Sequence, residues 1–112
     1  MPISFQFSAA TPQGPVFEGA VVSVSAPGLA GSFGVLGGHA PMFAELKAGI
    51  VKIETKEGEA VFLAISGGIM EVKQDQAVIL ADSAARAADR FAAEHKVREI
   101  LSGNPALDPA TW

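Results

Sequence analysis

The chain has 112 residues and a mass of 11.5 kDa, with 49% hydrophobic and 18% charged residues, 12 Gly, 7 Pro and a mean hydropathy of +0.33. This is one domain's worth of chain, able to bury roughly 65% of its extended surface, too apolar for disorder and too punctuated for long helices. A net charge of −4 with 8 Lys plus Arg argues against a nucleic-acid binder and against an acidic partner surface, and the absence of Cys removes disulfides, thiolate nucleophiles and Cys-based zinc sites.

The start, Met1 to Phe5, lacks the basic-then-apolar layout of a signal peptide, and no apolar run is long enough to cross a bilayer. The cytosol is the simplest compartment. From Ile3 to Ala81 the chain reads as short period-two or continuous apolar segments cut by Gly, Pro or Asp, the pattern of consecutive strands. Candidate strands are Ile3–Ser8, Val16–Glu18, Ala20–Ala26, Ser32–Leu36, Met42–Leu46, Ile50–Thr55, Ala60–Ile65, Ile69–Val72 and Ala77–Ala81. The fold class is mainly β: an N-terminal sandwich of about nine or ten strands, followed by one α-helix and an extended tail. Lys56 to Glu59 and Lys73 to Gln76 read as hairpin turns. Val21–Val24 and Val51–Glu54 alternate between a core face and a wet face. Val61–Ile65 and Val78–Leu80 are apolar on both faces, so they are expected to be central strands or strands covered on the second side.

At Asp82 and Ser83 the pattern changes to an alanine-rich, helix-favouring stretch that stops at Gly103. Asp82 or Ser83 is the expected N-cap and Gly103 the C′ residue. The chain thus divides into a sandwich over 1–82, a helix over 83–103 and a tail over 104–112 that carries two Pro and ends at Trp112.

Little in the chain suggests chemistry of its own. His39, Ser66 and Asp82 are the residues from which a nucleophilic triad could be built, but Ser66 precedes Gly67 and Gly68 rather than sitting between glycines on a strand-to-helix turn. His39 and His95 lie on different elements with no ligand-like carboxylate spacing. The glycines from Gly28 to Gly38 are not followed by the Lys and Ser or Thr of a phosphate loop. No catalytic, cofactor-binding or metal-binding residue is expected. Gly68 to Lys73 weakly resembles the lysine-bearing turn of biotinyl and lipoyl carrier domains, which makes a small carrier or binding module with a modified Lys73 the alternative reading.

The strongest constellation is Gly34 Val35 Leu36 Gly37 Gly38 His39 Ala40 Pro41, then Leu46 Lys47 Ala48 Gly49 Ile50, then Ser66 Gly67 Gly68 Ile69 Met70 Glu71 Val72, then Ile79 Leu80 Ala81 Asp82 Ser83 Ala84. In this order and spacing it resembles the epsilon subunits of F-type ATP synthases, called delta in mitochondria, over about residues 3–85. Phe17 Glu18 Gly19 and the strand from Val21 to Pro27 match the family's opening segment. The resemblance implies a non-catalytic rotor subunit that binds the gamma subunit and sits on the membrane rotor ring, coupling ion flow to ATP synthesis. It also implies a peripheral place on the cytoplasmic face of a bacterial inner membrane, and contact between the C-terminal helix and the catalytic hexamer. Carried over by position, Ser32 with its neighbour Phe33 faces the rotor ring, while Thr11, His39, Ala44 and Ser66 lie near gamma.

The chain departs from the family pattern in several places. Gly37 stands where many members have Pro, and Ser32 Phe33 replaces a common pair of an acidic residue and Leu, so apolar packing is expected where the family uses charge. One helix is expected where the family has a two-helix hairpin that can block ATP hydrolysis. The family's nucleotide pattern, an aliphatic residue, Asp, two residues, Arg and Ala, is not met at Arg86 Ala87.

Overall fold

The structure, a computed structural model, describes residues 3–102. Seven strands precede one helix: β1 (Phe5–Thr11), β2 (Gly14–Gly28), β3 (Gly31–Leu36), β4 (Met42–Thr55), β5 (Ala60–Val72), β6 (Gln76–Ala81), β7 (Ala84–Ala87) and α1 (Arg90–Ser102). The predicted C′ residue Gly103 and the tail over 104–112 lie outside the described residues.

Strands that the sequence punctuates with glycine run on as single long strands that bend and change layer. Val16–Glu18 and Ala20–Ala26 fall within β2, Met42–Leu46 and Ile50–Thr55 within β4, and Ala60–Ile65 and Ile69–Val72 within β5. One layer runs from the first half of β4 through the second half of β5, β6 and β1 to the first half of β2. The other runs from β3 through the second halves of β2 and β4 and the first half of β5 to β7. Each layer therefore holds five strand segments, which is why seven strands read as nine or ten in the sequence. The pairing of β1 with β6 is parallel and the others are antiparallel.

The bend in β5 falls at Gly67 and Gly68, whose φ values of 131° and 154° are open to glycine and strained for other residues. A Cβ on Gly68 would overlap the Leu80 carbonyl oxygen on β6, so the two strands close up only because no side chain stands between them. Ser66 Gly67 Gly68 is thus a bend within a strand rather than a turn between two. In β2 the register shifts between Val21 and Ser23, and this bulge lets both Val21 and Val24 face the core. Phe7, Ile53, Leu63, Ile65, Met70 and Ile79 fill the space between the layers, each at most 1% exposed. Both predicted hairpins form: Thr55 N–H donates to Glu59 O at 2.8 Å, and Lys73 N–H donates to Gln76 O at 2.7 Å.

The helix starts later than the sequence suggests. Ala84–Ala87 pairs with Ile65–Phe62 of β5 instead of opening a helix at Ser83. Helix propensity favours alanine by only a few tenths of a kcal/mol per residue, whereas four residues laid along the open edge of β5 satisfy a ladder of backbone groups. Asp82 and Ser83 form the bend between β6 and β7 and are tied to β5, with Asp82 N–H donating to Gly67 O and Ser66 N–H to Ser83 O. The N-cap is Asp89, whose Oδ1 accepts from Ala92 N–H at 2.8 Å. From there α1 packs over β5, β4 and β7 with Ala93 buried, covering the second apolar face expected for Val61–Ile65. Val78–Leu80 meets the same expectation by the other route, as a central strand between β1 and β5, with Leu80 on its uncovered face 52% exposed.

Gly68→Ala should lower stability by about 2–4 kcal/mol in a denaturant titration, whereas Gly34→Ala, where a new Cβ meets only Val24 O at 4.0 Å, should change it by less than about 0.5 kcal/mol. Asp89→Ala should weaken α1 by about 1 kcal/mol, seen as faster amide exchange over residues 92–96, while Asp82→Ala leaves that exchange unchanged.

Candidate functional site

The tip of the β2–β3 hairpin is a tight two-residue turn in which Gly28 pairs with Gly31. A Cβ on Gly28 would lie 2.7 Å from Gly31 O and 2.9 Å from the Phe33 ring, and Gly31 has φ +135°, so the turn needs both glycines. Leu29 N–H donates to Glu45 O at 3.0 Å and ties the tip to the start of β4. Between hairpin and strand lies an open groove lined by Leu29, Ser32, Phe33, Met42, Phe43 and Ala44. Leu29 is 59% and Phe43 64% exposed, an apolar surface with no partner within the described residues.

Three of the expected interface residues, Ser32, Phe33 and Ala44, converge on this groove. Thr11 lies on a second groove, with Ile69 and the exposed Leu80, where its hydroxyl is engaged with Gln13 in the β1–β2 turn. His39 stands apart in the β3–β4 loop: its Nδ1 donates to Ala40 O at 2.7 Å and its N–H to Leu36 O at 3.2 Å. Gly37 in the same loop is packed tightly, since a Cβ there would lie 2.5 Å from Ile3 O. Ser66 sits at the β5 bend in neither groove, with its Oγ buried and without a hydrogen-bond partner.

Leu29, Phe43 and Leu80 are exposed apolar residues that the sequence analysis passes over, although two of them carry a signal. In Met42–Leu46 the buried position is Leu46, so Phe43 shares the outward face of Glu45, and a large aromatic there has no role in the core. Leu29, an apolar residue at the tip of a wet turn, is similar.

Residues weighed for chemistry are not assembled into a site. His39, Ser66 and Asp82 make no hydrogen bond to one another, and no group of three or more metal-ligating side chains occurs among the described residues. Lys73 closes the β5–β6 turn as an exposed residue. Arg86, at the place of the family's nucleotide pattern, lies on β7 with its guanidinium 5.6 Å from the Phe17 ring centre, pinning β7 to β2.

The family model for the ATP synthase delta/epsilon chain, beta-sandwich domain, matches residues 4–87, from the start of β1 to the end of β7. The chain belongs to this delta/epsilon family. It is 41% identical over 99 residues to the ATP synthase epsilon chain of Dichelobacter nodosus (strain VCS1703A), covering 88% of this chain and 68% of that one. It is 47% identical over 87 residues to the ATP synthase epsilon chain of Anoxybacillus flavithermus (strain DSM 21510 / WK1), covering 77% of this chain and 63% of that one. The chain thus spans about two thirds of the length of these epsilon relatives. A chain in the cryo-EM structure of the Euglena gracilis mitochondrial ATP synthase, OSCP/F1/c-ring in rotational state 1, shares the fold with a TM-score of 0.71 at 22% identity, over 98% of this chain and 71% of that one. As a delta/epsilon chain the protein is an accessory rather than a catalytic subunit. No helix among its described residues is long and apolar enough to cross a membrane.

Proposed function

We propose that the chain works as a central-stalk subunit of an F-type ATP synthase, joining gamma to the membrane rotor ring and coupling ion flow to ATP synthesis. The observation that carries this reading is the convergence of Ser32, Phe33 and Ala44 on an exposed apolar groove at one end of a delta/epsilon sandwich. In this reading Leu29 and Phe43, with Ser32 and Phe33, meet the ring, and Ala44 extends the patch toward gamma. The second groove, with Thr11 and Leu80, faces gamma together with His39 and Ser66. The fold shared with a chain from an F1/c-ring assembly supports the central-stalk role.

The coupling unit ends with β7 at Ala87 rather than at residue 82, because β7 completes one layer of the sandwich. A hydrogen-bonded sandwich suits a part that passes torque without flexing. Beyond it, α1 presents Phe91, 83% exposed, and Leu101, 59% exposed, for contact with the catalytic hexamer. The chain then sits peripherally on the cytoplasmic face of a bacterial inner membrane.

Full-length protein should co-purify with gamma and rotor ring. Phe43→Asp combined with Leu29→Asp should weaken capture on the ring about tenfold or more while the melting temperature moves by only a few degrees, since both side chains are already exposed. Unchanged capture by the double variant would rule out this end of the sandwich as the ring contact.

A further inference from the structure

A groove runs beside α1 where the helix lies against the sandwich. Pro27, Ile50 and Val97 give it an apolar floor, and its rim carries Lys47 from β4 with Arg90 and Arg98 from α1. Among the described residues the ion pair is His95 with Glu99 at 3.2 Å, so these three cations have no carboxylate partner there. The Arg90 guanidinium lies 5.7 Å from the Phe62 ring centre, a contact that orients the group and leaves its charge intact.

The chain itself carries a segment of matching chemistry. Residues 103–112 hold one charge, at Asp108, and two large apolar side chains, Leu107 and Trp112. They begin with Gly103, Asn104 and Pro105, residues suited to reversing a chain as it leaves a helix. The lengths also fit. Arg98 stands about 6 Å before Ser102 along the helix axis, while the chain from Ser102 to Asp108 can span about 20 Å. An extended return along α1 would cover about 13 Å from Asp108 to Trp112, and α1 covers about 12 Å from Arg98 back to Arg90.

We propose that residues 103–112 fold back into this groove as an intramolecular strap. Leu107 packs on Pro27, Ile50 and Val97, the Asp108 carboxylate is received by Lys47 and Arg98, and the Trp112 ring lies against the Arg90 guanidinium. An exposed ion pair alone holds little, but here it acts together with an apolar contact and a cation–π contact, and the short tether keeps the segment at high effective concentration. The strap clamps α1 to the β2–β4 end of the sandwich. Every group in it belongs to this chain, so it stands apart from the ring-contact reading.

Trp112 is the single Trp and the chain has no Tyr, so tryptophan fluorescence reports this segment alone. The test is acrylamide quenching of Trp112 in the full chain, for wild type, Asp108→Lys, Lys47→Glu/Arg98→Glu and the variant that joins all three substitutions. Quenching should be about threefold steeper in each one-sided variant than in wild type, and protection should return when the charges are exchanged across the groove. Leu107→Asp, which leaves the groove's own charges in place, should also expose Trp112. Circular dichroism melts check that each variant keeps its sandwich, as Lys47 and Arg98 are exposed and Asp108 lies beyond α1. Equal quenching in all five proteins overturns the proposal, and so does exposure in the one-sided variants that charge exchange does not repair. Protection in wild type that vanishes on dilution from about 50 to about 1 μM also overturns it, because the segment then occupies the groove of a second copy.

Discussion

Three long strands that each serve both layers are the constraint on which the rest of the molecule depends. Because β2, β4 and β5 cross from one sheet to the other, the layers are covalently continuous at three places and cannot slide as two independent sheets would. The crossing in β5 requires that its bend lie against the backbone of β6, and Gly68 permits an approach that any side chain would block. Movement of one end of the sandwich relative to the other must break ladder hydrogen bonds, which suits a part that carries load between two partners.

That continuity also fixes the shape of the exposed grooves. The β2–β3 hairpin and the start of β4 are held together at one end by the Leu29 to Glu45 backbone bond. The groove between them keeps its shape while Leu29 and Phe43 stay exposed. The groove with Thr11 and Leu80 is built from β1, β5 and β6. Two apolar surfaces on one rigid body are what a connector between two proteins needs, and an assembled set of catalytic side chains is not.

The alanine-rich segment after Asp82 shows how local preference yields to a tertiary need. Ala84–Ala87 has a helical composition, yet the open edge of β5 leaves backbone groups in need of partners, and small side chains let β7 lie flat against it. The helix then starts at the next residue able to cap it, Asp89, and its small Ala93 lets it settle on the outer face of β5. Arg86 over Phe17 and Arg90 over Phe62 hold the two pieces down.

Sequence alone determined the class of fold, the two hairpin turns and the interior place of Val61–Ile65 and Val78–Leu80 in the sheets, because period-two alternation, turn residues and two-faced apolar runs are local signals. It also carried the ordered glycine and Asp-Ser motifs on which the family resemblance rests. Tertiary structure alone decided that glycine breaks were bends within strands, that β7 was a strand, and that Ser32, Phe33 and Ala44 share a groove while His39 and Ser66 stand apart. Those outcomes depend on which strands meet across the sandwich. Lys47 and Arg98 are 51 residues apart in the chain, and only the docking of α1 on the sheet sets them around one groove.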